Sequence, residues 1–210
     1  MSEPLRLGVL VSGGGTTLEN FLQETEAGRL NARVAVVVSS SRKAYALVRA
    51  EKHRVPSHVV FRSSYPSPGS FGEAIGRILD RHQVDLVTMA GFLKLWTIPE
   101  RYLGRVMNIH PALIPAFCGE GMYGHRVHEA VVASGVKVSG CTVHFADNEY
   151  DTGPIIIQRT VPVRLEDTPE EVAARVFQQE CIAYPEAINL FAAGRLRIEG
   201  RRVRVLGVEP

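Results

Sequence analysis

The first half of the chain alternates apolar runs with segments of helical spacing. Residues 5–11 are a short apolar run that predicts a buried first strand, and residues 34–38 are a near-continuous β-branched run, as in a parallel strand that is covered on both faces. Residues 18–22 and 71–79 place apolar side chains three and four positions apart, which is typical of amphipathic helices. Residues 62–70 are rich in Ser and Pro and predict a loop. The alternation predicts an α/β fold with a mostly parallel central sheet and helices on both faces.

Strands follow one another more closely after residue 137. Residues 137–145 alternate between the two faces of a strand, residues 155–163 predict the next strand, and residues 196–206 predict a closing hairpin. These short connections predict an antiparallel edge in the C-terminal half of the sheet. No linker separates two cores, so we predict a single domain over residues 1–210.

The strongest local helix signal begins at Thr168. This threonine can cap a helix, Pro169 suits the first helical position, and Glu171 completes a capping box. Pro185 lies within the same segment. Because a proline inside a helix removes a hydrogen bond and crowds the preceding turn, we expect it to kink or divide this helix.

Composition and charge indicate an ordinary globular protein. The chain is 45% hydrophobic and 22% charged, and its formal net charge of +2 gives no argument for a nucleic-acid partner. Three cysteines without framework spacing argue against a disulfide scaffold or a zinc site, and they fit a reducing cytosol. We find neither a signal peptide nor an apolar run of membrane-spanning length. The sequence therefore predicts a cytoplasmic protein that binds no metal, nucleic acid or membrane.

A polar pair interrupts the apolar run at residues 106–115. Asn108 and His110 are two positions apart, so they point to the same face of a strand, and Pro111 ends that strand at once. Ligands bind at the carboxyl ends of strands in an open α/β sheet. An amide that holds an oxyanion, beside an imidazole that moves protons, suits addition to a carbonyl group. The alternative is two polar groups satisfied within a turn, and this run alone leaves both open.

A glycine loop follows the first predicted strand at residues 12–17. Glycines let the main chain approach a ligand closely, and the N-terminus of the next helix offers free N–H groups to an anion. The loop has no lysine after its glycines, which excludes a nucleoside-triphosphate loop, and no acidic residue ends the second strand, which disfavours a dinucleotide. We therefore expect a phosphate monoester here, with Thr16 and Thr17 as hydroxyl donors. A tight turn without a ligand is the alternative.

Two carboxylates are further candidates. Asp151, before a Thr-Gly-Pro turn, could pair with an imidazole if its strand lies beside that of His110, although it could also be a plain turn residue. Glu180 follows Val172 and Val176 at four-residue spacing, so it falls on the apolar stripe of a helix. A carboxylate there needs a partner, which is either an arginine or amide inside the fold or an amine-bearing ligand.

Four motifs, taken in order, carry a family resemblance. They are Ser-Gly-Gly-Gly-Thr-Thr-Leu at residues 12–18, Ala-Gly-Phe-Leu at 90–93, Asn-Ile-His-Pro-Ala-Leu-Ile-Pro at 108–115 and Asp-Thr-Gly-Pro at 151–154. Over nearly the whole chain, the sequence resembles the glycinamide ribonucleotide transformylases, or phosphoribosylglycinamide formyltransferases, a family of folate-dependent formyltransferases. The resemblance implies a Rossmann-like formyltransferase fold. It also implies a nucleotide- and phosphate-binding half in residues 1–100 and a catalytic and folate-binding half in residues 101–210.

The resemblance further implies substrates and residue roles. Glycinamide ribonucleotide would receive a formyl group from 10-formyltetrahydrofolate in de novo purine synthesis, without a metal, and the enzyme would be a homodimer. The catalytic residues would be Asn108, His110 and Asp151. The ribonucleotide would be bound by Gly14, Gly15, Thr16, Thr17 and Glu180. The folate would be bound by Leu93, Lys94, Leu95, Trp96, Asn108, Thr142, Ala146 and Asp147.

The chain departs from the family pattern in three places. Relatives commonly have Asn and Ser in the glycine loop, where this chain has Gly and Thr. Pro68 occupies about the place of an expected arginine, so that a folate contact is lost or is supplied by Arg62. Residues 117–123 are longer than, and different from, the common Lys-Tyr-Pro-Gly continuation, so we expect reshaped substrate loops there.

Three other functions are alternatives to formyl transfer to glycinamide ribonucleotide. A methionyl-tRNA formyltransferase resembles this core but has an added tRNA-binding domain, and a formyltetrahydrofolate hydrolase usually has an N-terminal regulatory domain. The sequence predicts neither domain. A noncatalytic nucleotide-binding module is the third alternative, and the presence of Asn108, His110 and Asp151 together argues against it.

Overall fold

The computed structural model describes residues 3–207 and has one nine-stranded sheet at its centre. The strands are β1 (Leu5–Val11), β2 (Ala32–Ser39), β3 (Ser57–Val59), β4 (Leu86–Met89), β5 (Val106–His110), β6 (Val138–Phe145), β7 (Ile155–Pro162), β8 (Leu196–Glu199) and β9 (Arg202–Val205). The helices are α1 (Thr16–Glu26), α2 (Tyr45–Lys52), α3 (Pro68–Arg81), α4 (His125–Ser134) and α5 (Pro169–Ala192). Two short 3₁₀ helices span Arg62–Ser64 and Glu100–Tyr102.

The order of the strands determines where a ligand can bind. It is β3-β2-β1-β4-β5-β6-β7-β9-β8. The first five strands in this order are parallel neighbours, β5, β6 and β7 pair antiparallel, and β9 pairs parallel with β7 and antiparallel with β8. The predicted mostly parallel sheet with an antiparallel C-terminal part is thus confirmed. The strand order reverses between β1 and β4, and ligands bind at such a switch point, outside the carboxyl ends of the strands.

Helices cover both faces of this sheet, as predicted. On one face, Phe21 of α1 and Tyr184 of α5 are fully buried, and on the other face Phe71 and Leu79 of α3 are fully buried. Strand β1 contributes side chains to both apolar layers, which is why its sequence is apolar from Leu7 to Val11. Each such side chain contributes about 1.5–3 kcal/mol when it is buried. Among residues 3–207, no helix is long and apolar enough to cross a membrane.

Helix α3 begins earlier than the sequence predicted. The loop prediction for residues 62–70 is wrong at its end, because α3 already starts at Pro68. The Ser67 hydroxyl accepts a hydrogen bond from the Ser70 N–H at 3.1 Å, and the Ser70 side chain bonds back to the main chain of Ser67. Ser followed by Pro is common in loops, but it is also how a capped helix begins.

Helix α5 is continuous through Pro185, so the predicted division of this helix is wrong. A proline cannot donate to the carbonyl group four residues earlier, which here belongs to Cys181. The Nδ2 of Asn20, on α1, donates to this carbonyl instead, at 3.1 Å. A neighbouring helix thus supplies the hydrogen bond that the proline removes. The predicted capping box at the start of α5, between Thr168 and Glu171, is confirmed.

Replacing Asn20 by Ala is expected to lower the free energy of unfolding by about 1 kcal/mol, because the Cys181 carbonyl loses its partner. In a Pro185→Ala background the same change should cost little, since the restored N–H of residue 185 can bond this carbonyl. Urea unfolding followed by circular dichroism measures both differences. Gln23→Ala, on the exposed side of α1, is the control. An equal loss in the free energy of unfolding in the two backgrounds would mean that Asn20 does not stabilise the protein through its hydrogen bond to the Cys181 carbonyl.

Candidate active site

Four polar side chains meet at the carboxyl end of β5. Asn108 and His110 lie at this end, as predicted, and β6 pairs His144 with Asn108. The loop between β6 and β7 brings the Asp151 carboxylate within 3.5 Å of His110 Nδ1 and within 3.6 Å of His144 Nε2. The structure therefore brings the three predicted catalytic residues together. It adds His144, which sequence patterns did not assign to the site because its pairing with Asn108 depends on the register of two distant strands.

The Asn108 amide has a fixed orientation. His144 Nδ1 lies 2.9 Å from the carbonyl oxygen of Phe145 and donates to it, so His144 Nε2 is left as an acceptor. The Asn108 Nδ2 group then donates to His144 Nε2 at 3.2 Å and to Asp151 Oδ1 at 3.3 Å. The reverse orientation would place the amide oxygen against the carboxylate. The amide N–H groups therefore face the carboxylate side of the site.

Main-chain groups of the irregular loop between β5 and α4, residues 111–124, hold the side chains of His110 and Asp151. His110 Nε2 donates to the carbonyl oxygen of Phe117 at 2.8 Å, which leaves Nδ1 facing Asp151. The Gly119 N–H donates to Asp151 Oδ2 at 3.0 Å. Phe117 and Asp151 both have a positive φ, of 51° and 56°, which non-glycine residues rarely adopt. Neither main-chain group could be assigned a role from the sequence, because such contacts do not depend on side-chain identity.

The imidazole of His110 is neutral and the carboxylate of Asp151 is ionised at neutral pH. Burial lowers the pKa of His110 below its ordinary value, and the nearby Asp151 charge only partly opposes this. Burial by itself would raise the pKa of Asp151, but its contacts with His144 and His110 and the Gly119 N–H together hold this pKa below its usual value. The site thus pairs a proton acceptor with a fixed negative charge.

A cleft with three walls opens beside this cluster, and Asn108 and His110 also line it. One wall follows β4, the second lies between β6 and β7, and the third belongs to the irregular loop. The lining side chains include Leu93, Lys94, Leu95 and Trp96 in the first wall, Ala146, Asp147 and Asp151 in the second, and Met122 and Tyr123 in the third. Asn148 Oδ1 accepts from the Ile98 N–H at 2.8 Å and so joins the first two walls. The predicted folate residues other than Thr142 therefore share one cleft.

The glycine loop lies next to this cleft but does not line it. Gly15 has a φ of 72°, and a Cβ there would lie 2.6 Å from the Cβ of Ala46, so only glycine fits. Beyond Gly14 there is open space, and α1 begins directly after Gly15 without a side-chain cap, at Thr16 and Thr17. Ser12 Oγ accepts from the Leu93 N–H at 2.9 Å. This bond attaches the loop to the first cleft wall.

Glu180 is half-buried on α5 and has no hydrogen-bonding or ionic partner within residues 3–207. Burial raises the pKa of its carboxyl group to about 7. Tyr184, one turn later, reaches the carbonyl oxygens of Met89, at the carboxyl end of β4, and of Met107, in the neighbouring strand β5. Asn189, further along, bonds the Arg29 carbonyl at the opposite end of the sheet. Glu180 therefore lies about 6 Å along the helix from Tyr184, on the side of the carboxyl ends.

Two other residues have supporting positions. Thr142 is fully buried, and its hydroxyl donates to the Ala112 carbonyl at 2.7 Å and accepts from the Ile114 N–H at 3.1 Å. It holds the turn after β5 beneath the cleft instead of lining it. Arg62 stacks over the ring of Phe71 and donates to the main chain, and it is not one of the described cleft-lining residues.

The α/β fold and the Asn-His-Asp site define the class of acyl-transferring enzymes, and comparison with known protein families agrees with this class. A family model described as formyl transferase matches residues 5–188. The chain belongs to the formyl transferase family, and the resemblance that four motifs indicated is confirmed.

Individual relatives show to which members of the family the chain is similar. The chain is 37% identical over 196 residues to the phosphoribosylglycinamide formyltransferase of Haemophilus influenzae, covering 92% of this chain and 90% of that protein. It is 36% identical to the trifunctional purine biosynthetic protein adenosine-3 of Gallus gallus over 92% of this chain, and it spans only 19% of that protein's length. The glycinamide ribonucleotide transformylase 1 structure from Symbiobacterium toebii superposes with a TM-score of 0.89 at 43% identity, covering 98% of this chain and 96% of that one.

Proposed function

We propose that this protein transfers the formyl group of 10-formyltetrahydrofolate to the amine of glycinamide ribonucleotide, the acceptor after which its relatives are named. The observation that carries the proposal is the position of Asn108, His110 and Asp151 in a cleft between two segments with predicted folate residues. Direct transfer needs three groups at one place: an oxyanion donor, a proton acceptor and a charge that stabilises the protonated acceptor. These three residues supply them.

The reaction balances as a direct acyl transfer. The amine nitrogen of the ribonucleotide attacks the formyl carbon, and the carbonyl oxygen becomes the oxyanion of a tetrahedral intermediate. The bond from carbon to the folate nitrogen N10 then breaks, while one proton leaves the amine and one reaches N10. No covalent intermediate with the protein is needed, and the protein's task is to move the proton and to stabilise the oxyanion.

His110 moves the proton through Nδ1. Its Nε2 carries a hydrogen that is committed to the Phe117 carbonyl, so Nδ1 is the free basic atom. Burial keeps this imidazole neutral, which makes it a base at neutral pH. Asp151, whose Oδ2 lies 3.5 Å from Nδ1, stabilises the imidazolium that forms when the proton arrives.

Asn108 stabilises the oxyanion by donating a hydrogen bond from its amide group. Its two amide contacts, at 3.2 and 3.3 Å, are long, so a developing negative charge can replace one of them with a stronger, charge-assisted hydrogen bond. Because the orientation of the amide is fixed before the reaction, its N–H groups need little reorganisation when the charge forms.

The predicted binding residues complete the proposal. The ribonucleotide phosphate binds at Gly14, Gly15, Thr16 and Thr17, where the first turn of α1 offers main-chain N–H groups. Glu180, which has no partner within the described residues, holds the amine-bearing end of the same substrate. The folate lies in the cleft, and Thr142 supports it indirectly by holding the turn after β5. The first cleft wall belongs to residues 1–100, so both proposed halves of the chain contact the folate.

The KM for the ribonucleotide is expected to rise as the pH falls through about 7. Burial raises the pKa of Glu180, so the carboxylate that attracts the amine is present above this pH and is lost below it. Steady-state kinetics between slightly acidic and slightly alkaline pH measures the effect. In Glu180→Gln the rise should disappear, whereas Glu186→Gln, on the exposed side of the same helix, should keep it. An unchanged profile in Glu180→Gln would exclude this role.

The proposed function is tested by offering several acceptors. Purified protein is incubated with 10-formyltetrahydrofolate and, in parallel, with glycinamide ribonucleotide, other amines, methionyl-tRNA or water alone. Transfer to glycinamide ribonucleotide well above the rate with the other acceptors would support the proposal. Release of formate alone would identify a formyltetrahydrofolate hydrolase, a class for which the deformylase structure from Pseudomonas syringae, at 23% identity, shares the fold. No transfer to any acceptor would leave a noncatalytic module.

Location and assembly are also part of the proposal. Cys118, Cys141 and Cys181 are all free thiols, which supports a cytoplasmic location. We propose small-molecule substrates and a homodimer, with no nucleic-acid or membrane partner. Light scattering of the purified protein measures the assembly, and a single species with the mass of one chain would exclude the homodimer.

A further inference from the structure

The hydroxyl of Tyr184 is bonded deep in the core, next to the catalytic strand. The side chain is fully buried, and its oxygen lies 2.8 Å from the Met107 carbonyl oxygen and 3.2 Å from that of Met89. A phenol has one proton to donate, so this proton serves the shorter contact, to Met107. Met107 immediately precedes Asn108 on β5. Because a buried hydroxyl is costly unless it is bonded, the core holds this contact in place.

The ring of Tyr184 connects two further parts of the site. It packs edge-to-face against Phe21, with ring centroids 5.0 Å apart and planes at 77°. Phe21 lies one helical turn beyond Thr17, in the helix that follows the glycine loop. Glu180 lies one turn before Tyr184 on α5. One side chain therefore joins the helix of the phosphate loop, the helix of Glu180 and the strand of Asn108.

We infer that Tyr184 is a positioning residue, which holds the main chain of β5 so that the Asn108 amide meets the oxyanion; this inference rests on the proposed function. The side-chain contacts of Asn108, at 3.2 and 3.3 Å, determine which way its amide faces, but contacts of this length hold the position of the side chain only weakly. The main chain of β5 must fix that position. A displacement of about 1 Å near the reacting atoms can lower a rate by about 10²-fold.

Tyr184→Phe tests the inference, because it keeps the ring against Phe21 and removes only the hydroxyl. We expect kcat to fall by about tenfold, within the range that such displacements produce, with the KM for both substrates little changed. Tyr102→Phe is the matched control. Tyr102 is also buried, and its hydroxyl donates to Asp80 Oδ1 at 2.8 Å, in the other apolar layer. Both variants should lose a similar amount in melting temperature, but Tyr102→Phe should keep its kcat.

A double variant separates positioning from a general loss of structure. If Tyr184 acts through Asn108, Tyr184→Phe should cause no further loss of kcat in an Asn108→Ala background. A loss by the same factor in both backgrounds, or a kcat equal to that of Tyr102→Phe, would overturn the inference. A wild-type protein without formyl transfer would overturn the proposed function and the inference with it. An active wild type with an unaffected Tyr184→Phe variant would overturn the inference alone.

Discussion

Asp151→Asn is expected to lower kcat by about 10²–10⁴-fold, the range that a general acid–base system contributes, while the KM for both substrates changes little. The Asp151 carboxylate accepts from the Gly119 N–H and from Asn108 Nδ2, and it faces His110 Nδ1. Asparagine has nearly the same shape but carries no charge. The imidazolium that forms during proton transfer would therefore lose its counter-charge. Steady-state kinetics with each substrate varied in turn measures the change.

The pH dependence of the same variant gives an independent check. The charge of Asp151 raises the pKa of His110, against the larger effect of burial, which lowers it. Without this charge the pKa falls further, so the neutral, basic form of His110 persists to lower pH. The acidic limb of the kcat profile should therefore move to lower pH in Asp151→Asn.

Asp85→Asn is the matched control for Asp151→Asn. The Asp85 carboxylate accepts from the Arg6 N–H at 2.9 Å, at the opposite end of the sheet. Its loss should lower stability and leave kcat unchanged. A kcat for Asp151→Asn close to that of the wild type, in a variant whose circular dichroism is native, would remove Asp151 from the mechanism.

Asn108→Ala is expected to lower kcat by about 10²–10³-fold, which corresponds to about 3–4 kcal/mol of lost oxyanion stabilisation. The KM for both substrates should change little, because the oxyanion exists only after the amine has attacked. Single-turnover measurements of formyl transfer isolate this step from product release. The loss should be similar at every pH, since an amide does not titrate.

The control for Asn108→Ala is another bonded asparagine. Asn189 bonds the Arg29 carbonyl and the Asn31 N–H at the far end of α5, so Asn189→Ala should affect stability alone. If Asn108→Ala loses no more activity than Asn189→Ala, the oxyanion is held by another group. The Gly119 N–H, 3.0 Å from Asp151 Oδ2, would then be the first candidate.

Local patterns predicted most of the elements correctly, and their two failures have physical causes. Strand β1 and the capping box at Thr168 depend only on residues within a few positions, so the sequence determines them. The start of α3 at Pro68 was misassigned because composition alone does not distinguish a loop from a helix cap. Pro185 does not break α5 because Asn20, a distant residue, bonds the carbonyl that the proline leaves free.

The sequence by itself determined the residue types that the chemistry needs: Asn108 and His110 on one strand face, and Asp151 before a turn. Periodicity and the order of motifs can be read directly along the chain, and the motifs were specific enough to indicate the family. Only the tertiary structure decided which groups touch them. The register of β5 and β6 brings His144 to Asn108, and the path of the irregular loop brings two main-chain groups to His110 and Asp151. Strand register and loop paths arise from packing across the whole chain, so they leave no local signal in the sequence.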